Sequence, residues 1–442
     1  MKCMLPALCA TTLALFQLPA FAADFYVSPN GSDDAKGTLK APFATLMKAQ
    51  AAASPGDTVY LRGGTYHLSN ADITTRDKKI YSVVNHFTKK RIRYVNYSNE
   101  RPIFDFTNVK PAGDRVTAFL VATDQCVFKG FDIVGVQVTI ADQRTQSEAI
   151  RVEGGNDNRF EQLAIHDGMG IGWYLVKGRN NLVLNVDAYR NKGLNHFSDG
   201  NVDGFGGHPQ SADNTGNVIR GSRAWFNSDD GFDFINAKSA MTVENSWAMY
   251  NGYDSDFKAL GDGNGFKGGG YGRNGKPYPV PTPRHQVRFC LSVGNLSSGF
   301  YANHHIGGQD WINNTGIGNH KANFNMLSTL EDNATDVPGY QQRLKNNLSY
   351  GAAASINLGD DPRNDVSHNS FQLAGDVTAA DFISLDEAQL TAPRQANGDL
   401  PVITYAHLAP GSRLIDAGVD VGVPYNGKAP DLGAFEAPAS VH

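Results

Sequence analysis

Residues 262–270 read Asp-Gly-Asn-Gly-Phe-Lys-Gly-Gly-Gly, one lysine, Lys267, among five glycines. A nucleotide phosphate loop needs G-x-x-x-x-G-K-[ST], and Gly268 stands where the hydroxyl residue should be, so that reading is disfavoured. Upstream lie four carboxylates, in Asp203-Gly204-Phe205 and in Asp229-Asp230-Gly231-Phe232-Asp233. Gly-Phe recurs at Gly265-Phe266 and Gly299-Phe300. With each Phe turned inward, the residue after it points outward, which gives Gly206, Asp233, Lys267 and Tyr301. Asp233 and Lys267 then occupy one place on successive turns of chain, about 4.8 Å apart. The residues before Gly-Phe are Asp203, Asp230, Asn264 and Ser298, so Asp203 and Asp230 are neighbours too, with Asp229 beside them.

Four carboxylates on one face repel one another without a counter-charge. Oxygen ligands alone suit a hard cation, and Ca²⁺ with its loose coordination fits them. There is no HExxH and no Cys/His spacing for zinc. The alternative is a turn at Asp-Asp-Gly with Lys267 as its salt-bridge partner. The alignment of Asp203 and Lys267 with that pair favours the cation site.

What positions these residues is a repeat. Six segments alternate apolar and polar residues and end at Asp167, Asn191, Asn227, Asn251, Asn295 and Asn319, at spacings of 24, 36, 24, 44 and 24. Short strands with a constant period in the twenties predict an all-β chain, a parallel β-helix, with the end residues stacked at a tight bend. The two long spacings are insertions that bracket the coil carrying 227–234, and long loops on a solenoid build its binding face. Lys267 lies in the second insertion, where the surrounding glycines would clear space for a ligand to lie against the backbone. A stretch starting at Pro42 and stopping at Pro55-Gly56 predicts a short N-terminal helix that caps the open end. After residue 376 the period is lost, and the chain should fold back over the last coils. No linker is visible, so 23–442 reads as a single catalytic domain.

Residues 1–22 have a charged start, an apolar run and a small-x-small end at Ala20-Phe21-Ala22, which predicts a signal peptide cut near Ala22 and a secreted or periplasmic protein. No other apolar run is long enough to enter a membrane. Cys126 and Cys290 remain beyond it, in apolar surroundings that predict two buried free thiols. The net charge of −5 argues against nucleic-acid binding. Between 258 and 288, however, Lys258, Lys267, Arg273, Lys276, Arg284 and Arg288 face Asp262 alone, a local patch suited to one anionic ligand or to a solvated loop. The chain is expected to act as a monomer.

The motifs VDGFG (202–206), NSDDGFD (227–233) and GNGFK (263–267) resemble those of the family 9 polysaccharide lyases, the pectate lyase L-like right-handed parallel β-helices. The likeness runs from FYVSPNG (25–31) to PDLGAFE (430–436). It implies that Asp203, Asp229, Asp230 and Asp233 hold a catalytic Ca²⁺ and that Lys267 is the base. The implied reaction is β-elimination in an acidic plant cell-wall polysaccharide. Segments 136–155 and 165–181, and His208, look more like members acting on rhamnogalacturonan I, which leaves the substrate open between that polymer, polygalacturonate and another uronide. Arg273, Lys276, Arg284 and Arg288 are candidates for holding substrate carboxylates. His208, Tyr271, Trp225 and Tyr253 are candidates for lining sugar subsites. Two other classes stand beside this one: an inverting β-helical glycoside hydrolase using paired aspartates without a metal, and a non-catalytic polysaccharide-binding β-helix.

Overall fold

The computed structural model describes residues 22–77 and 81–438, so the expected leader lies outside the described residues except for Ala22. Among the described residues no helix is long and apolar enough to cross a membrane. The chain winds as a right-handed β-helix of three sheets with 12, 10 and 11 strands, parallel except for the antiparallel end strand Thr75–Asp77 of the third, and each central coil gives one strand to each sheet. One coil illustrates the path: Arg159–Glu161 in the first sheet, Ala164–His166 in the second and Gly170–Lys177 in the third, with Leu182–Leu184 starting the next coil.

The corners need a left-handed backbone. Between first and second sheets Gln162, Asn185, Gly221, Asn245, Phe289 and Asn313 all have positive φ, and past the second sheet so do Asp167, Arg190, Phe226 and Tyr250. That conformation costs an ordinary side chain about 1–2 kcal/mol, so stacking of the coils must hold it.

Two buried ladders supply the stacking. In the third sheet Phe205, Phe232, Phe266, Phe300 and Phe324 lie ring on ring inside the solenoid, at 4.8, 4.7, 5.1 and 4.9 Å between centroids. Past the second sheet, each asparagine amide of Asn191, Asn227, Asn251 and Asn295 donates to the side-chain oxygen of the next, ending on Asn319, at 2.8–3.1 Å. Five of the six period-marking residues thus form one column. Asp167 does not join it: His166 pairs with Tyr189, so Asp167 stands one place early beside Arg190, which it binds at 2.6 Å, and Gly168 occupies the top rung.

The capping helix is present as Leu46–Ala52, with Thr45 accepting the amide of Lys48 and with Leu46 and Ala49 buried. Gln50 Nε2 donates to the His86 carbonyl at 2.9 Å and ties the helix to the first coils. The C-terminal segment does fold back, but along the outer face of the second sheet. Phe382, Leu390, Tyr405, Leu408 and Leu414 cover Trp247, Met249, Leu291, Val293 and Leu348 there. Asp187 fastens the segment by binding both Arg223 at 2.8 Å and Arg394 at 2.7 Å, and Arg223 also donates to the Leu390 and Ala392 carbonyls. Trp225 is largely buried in this interface, where it lines a groove with Tyr189, Arg223 and Arg394. Cys126 and Cys290 are free and buried.

The asparagine ladder gives a direct test. Asn251→Ala removes a rung and leaves the Ala224 carbonyl and the Asn227 amide groups without their buried partners. An unsatisfied buried group costs about 1–3 kcal/mol, so the stability read from urea unfolding should fall by at least about 2 kcal/mol. A midpoint unchanged from wild type would show that the column is not a source of stability.

Candidate active site

The third sheet delivers the outward residues in register: Gly206 pairs with Asp233, Asp233 with Lys267 and Lys267 with Tyr301. The glycine before each Phe is required by close approach. A Cβ at Gly204, Gly231, Gly265 or Gly299 would lie 2.6–2.8 Å from a carbonyl oxygen of the next coil. The glycines after Lys267 have a different reason from the one the sequence suggested. Their absent side chains face inward, where a Cβ would meet Trp311 from Gly268, His305 from Gly269 and the Asn303 carbonyl from Gly270, at 2.8, 2.6 and 2.1 Å. They seat the backbone rather than clear a path for polymer.

Asp203, Asp230 and Asn264 form a short polar ladder beside the Phe stack. Asp203 Oδ1 accepts the Asp230 amide at 3.2 Å, and Asp230 Oδ1 accepts the backbone and side-chain amides of Asn264 at 2.6 and 2.8 Å. Asp229 Oδ1 accepts the Asp262 amide at 3.0 Å, and Asp233 Oδ1 accepts that of Ile235 at 2.7 Å. The four carboxylates are buried, and so is Lys267. Its ammonium sits 2.8 Å from Asp230 Oδ2, 3.1 Å from Asp233 Oδ2 and 4.0 Å from exposed Asp262.

One cation against four buried carboxylates leaves the cluster strongly negative. Burial, followed by repulsion from Asp229, Asp233 and Asp230, pushes the Asp203 carboxyl well above its ordinary range. Burial and Asp230 do the same to Asp229. Burial also raises Asp230, against the pull of Lys267. Burial pulls the Lys267 pKa down, yet the four aspartates outweigh it and hold the ammonium well above its ordinary value. Asp203, Asp229 and Asp230 each offer an oxygen within 4.8 Å of the others. The fully buried Asp230 Oδ2 has the Lys267 ammonium as its partner, and that one cation serves the whole cluster. A buried, oxygen-rich cluster with more carboxylates than cations fits a hard divalent cation.

Beside Lys267 opens a cleft of about 410 Å³ lined by Ile235, Asp262, Gly272, Arg273, Tyr301, Asn303 and His304. Of the four basic residues singled out from the sequence, Arg273 lines it, held by Asp336 at 2.6 Å. Lys276 lies farther along the same loop and outside the cleft lining. Arg284 is bound to Asp310 and the Gln341 carbonyl, and Arg288 to Glu244 on the first sheet, away from the cleft. Tyr271 is buried, with its hydroxyl on the Ala237 carbonyl and its ring against Tyr278 and His305. Tyr253 packs against Phe257 and bonds His320. His208 stands by the aspartates, edge-on to Tyr174 at 5.0 Å, with its pKa lowered by burial. Sequence reasoning assigned no role to Asp262, Asn303 or His304. The signal for the last two was their place just past the Gly-Phe-Tyr of the next coil.

A family model described as "Pel9A-like, right handed beta helix region" matches residues 25–347, and one described as "Rhamnogalacturonan lyase-like, C-terminal" matches 360–441. Pectate lyase L of Dickeya chrysanthemi is 34% identical over 93% of this chain and 90% of its own length. Among solved structures, a rhamnogalacturonan lyase superposes with a TM-score of 0.85 at 42% identity, covering 88% of this chain and 97% of the other. The crystal structure of pectate lyase Pel9A gives 0.75 at 31% identity, over 95% and 97%.

The raised carboxyls fix the sign of a pH effect. Groups whose folded pKa lies above the unfolded value stabilise at or below that ordinary value, near 4, and the contribution is lost as pH rises through the folded value. Lys267 keeps its proton throughout this range and adds no slope. In chelator, wild type should therefore lose stability relative to Asp203→Asn between pH 4 and 7, read as the difference in denaturant midpoint. A difference that stays flat with pH would contradict the electrostatics of the cluster.

Proposed function

The chain belongs to the Pel9A-like right-handed β-helix family and is a polysaccharide lyase, and we propose that it cleaves the rhamnogalacturonan I backbone of pectin by β-elimination. Lys267 is the base in this reading, and Asp203, Asp229, Asp230 and Asp233 hold Ca²⁺. The observation that carries it is the position of the Lys267 ammonium, 2.8 and 3.1 Å from two buried aspartates at the edge of the cleft. A hydrolase working through two aspartates has no use for a lysine there, and a binding protein has no use for buried like charges.

The reaction removes a weakly acidic proton from C5 of a uronate. Neutral Lys267 takes that proton, the C4–O4 bond breaks, and the electron pair leaves on O4, which solvent protonates, so that the new chain end carries a C4=C5 double bond. When bound, Ca²⁺ supplies positive charge that neutralises the uronate carboxylate, stabilises the enolate-like intermediate and offsets the aspartates that otherwise keep Lys267 protonated. With the four carboxylates uncompensated, Lys267 remains an ammonium and has no lone pair to offer. The burial that makes this pinning strong also holds the amine in one place, as a positioned base requires. Arg273, half-exposed in the cleft lining and paired with Asp336, would bind a neighbouring substrate carboxylate in this reading.

The choice of rhamnogalacturonan I rests on the greater likeness to the rhamnogalacturonan lyase along the chain and on the match of the C-terminal segment. Polygalacturonate is the second reading, favoured by the likeness to pectate lyase L. We take 23–442 as one catalytic unit, since Asp187 binds the C-terminal segment to the coils through two arginines. A polymer substrate outside the cell goes with export, secreted or periplasmic, and nothing in the site calls for a second copy of the chain.

Two outcomes test this. Ultraviolet absorbance of unsaturated product should appear with rhamnogalacturonan I, far less with polygalacturonate, and should vanish in chelator and return with Ca²⁺. The reverse preference would transfer the assignment to polygalacturonate, and full activity in chelator would remove the cation from the chemistry. Lys267→Ala should lower the rate about 10²–10⁴-fold, the worth of a positioned base, with melting in Ca²⁺ and Ca²⁺ affinity retained. Lys267→Arg should restore little, because guanidinium keeps its proton. Near wild-type rates in Lys267→Ala would return Lys267 to a salt-bridge role.

A further inference from the structure

On the strand Phe205–Gly207 and just past it, the outward positions are Gly206 and His208. Gly206 contributes no side chain, and over the gap lean two rings. A Cβ there would lie 2.6 Å from Tyr174 Cδ2 and 3.7 Å from His208 Nε2. His208 Nε2 is shielded from solvent and has no hydrogen-bond partner. One ring nitrogen of His208 lies within 4.8 Å of a carboxylate oxygen of Asp203 and of one of Asp233, which themselves meet that limit. Asp203 also belongs to the oxygen group with Asp229 and Asp230, so it links the two groups. An orphaned imidazole nitrogen on a ring beside an under-neutralised carboxylate pair lacks a reason as packing alone, since a buried polar atom without a partner is costly.

We propose that His208 Nε2 is a nitrogen ligand of the cation held by the aspartate cluster, so that the site has a mixed oxygen and nitrogen donor set. This rests on the reading of the aspartates as a metal site. Ligand atoms within 4.8 Å of one another can share one ion at the bond lengths usual for divalent metals, a little over 2 Å. Imidazole adds little for Ca²⁺, which prefers oxygen, and adds more for first-row transition ions. The consequence is a site that binds Ca²⁺ through its carboxylates and also accepts Mn²⁺ or Co²⁺ with a preference set by one side chain.

Mn²⁺ added to the full chain provides the test, because its paramagnetism reports the nuclei of its ligands. Pulsed electron paramagnetic resonance should show a directly bonded nitrogen in wild type and none in His208→Gln. Calorimetry should show Mn²⁺ affinity falling by about tenfold in His208→Gln, in the range that supporting groups exert at metal sites, with Ca²⁺ affinity changed much less. Mn²⁺ bound at the cluster in wild type without nitrogen coupling would overturn the proposal and leave His208 as a contact for substrate. Failure of wild type to bind either Mn²⁺ or Ca²⁺ would instead overturn the metal reading of the aspartates, and this proposal with it. Asp203→Asn locates the ion, since it should weaken both metals.

Discussion

The register between coils is the constraint from which the site follows. Parallel strands stacked in the third sheet place residue above residue, and the Phe rings inside, 4.7–5.1 Å apart, lock that alignment against slippage. A slip by one residue would turn Phe266 outward and Lys267 inward. The chemistry therefore depends on groups that take no part in it. Neither the carboxylates nor the lysine could gather themselves, because like charges in a buried place repel one another and the fold must supply the difference.

The cluster is unbalanced by design of the strand pattern. Asp203, Asp229, Asp230 and Asp233 are held by backbone amides of Asp230, Asp262, Asn264 and Ile235, which favour carboxylates without neutralising them. Lys267 supplies a single positive charge. An arrangement so short of cations spends part of the stability gained in the aromatic and asparagine ladders, and strain of this kind gathers at functional sites.

Much of this was legible in the sequence because β-helices repeat. The Gly-Phe pairs gave the register of the third sheet and hence the adjacency of Asp233 and Lys267, and the spaced asparagines gave the column past the second sheet. The misses have physical causes. Asp167 sits one residue early because it holds the left-handed position of the corner, which Arg190, Phe226 and Tyr250 hold in later coils, and the column residue comes next, so an Asp at the end of a coil does not mark the column. Arg284 and Arg288 are close to Lys267 in sequence, but the coil turns onto another sheet before reaching them. The covering of Trp225 was not legible, because the residues around it on its strand say nothing about a later segment that packs over it. The C-terminal path itself lacks any period, and only long-range pairs such as Asp187 with Arg394 determine it.

The asparagine ladder has one further property. Its rungs are 3.1, 3.0, 2.9 and 2.8 Å long, while the chain running between successive rungs is 36, 24, 44 and 24 residues. Rung length is indifferent to how much chain is spliced between two rungs. Each coil rejoins the column at a clamped rung whatever chain lies between, so the length of an insertion is uncoupled from the register of the coils. The scaffold can therefore grow between rungs as long as the third-sheet strands that carry Asp233 and Lys267 keep their pairing.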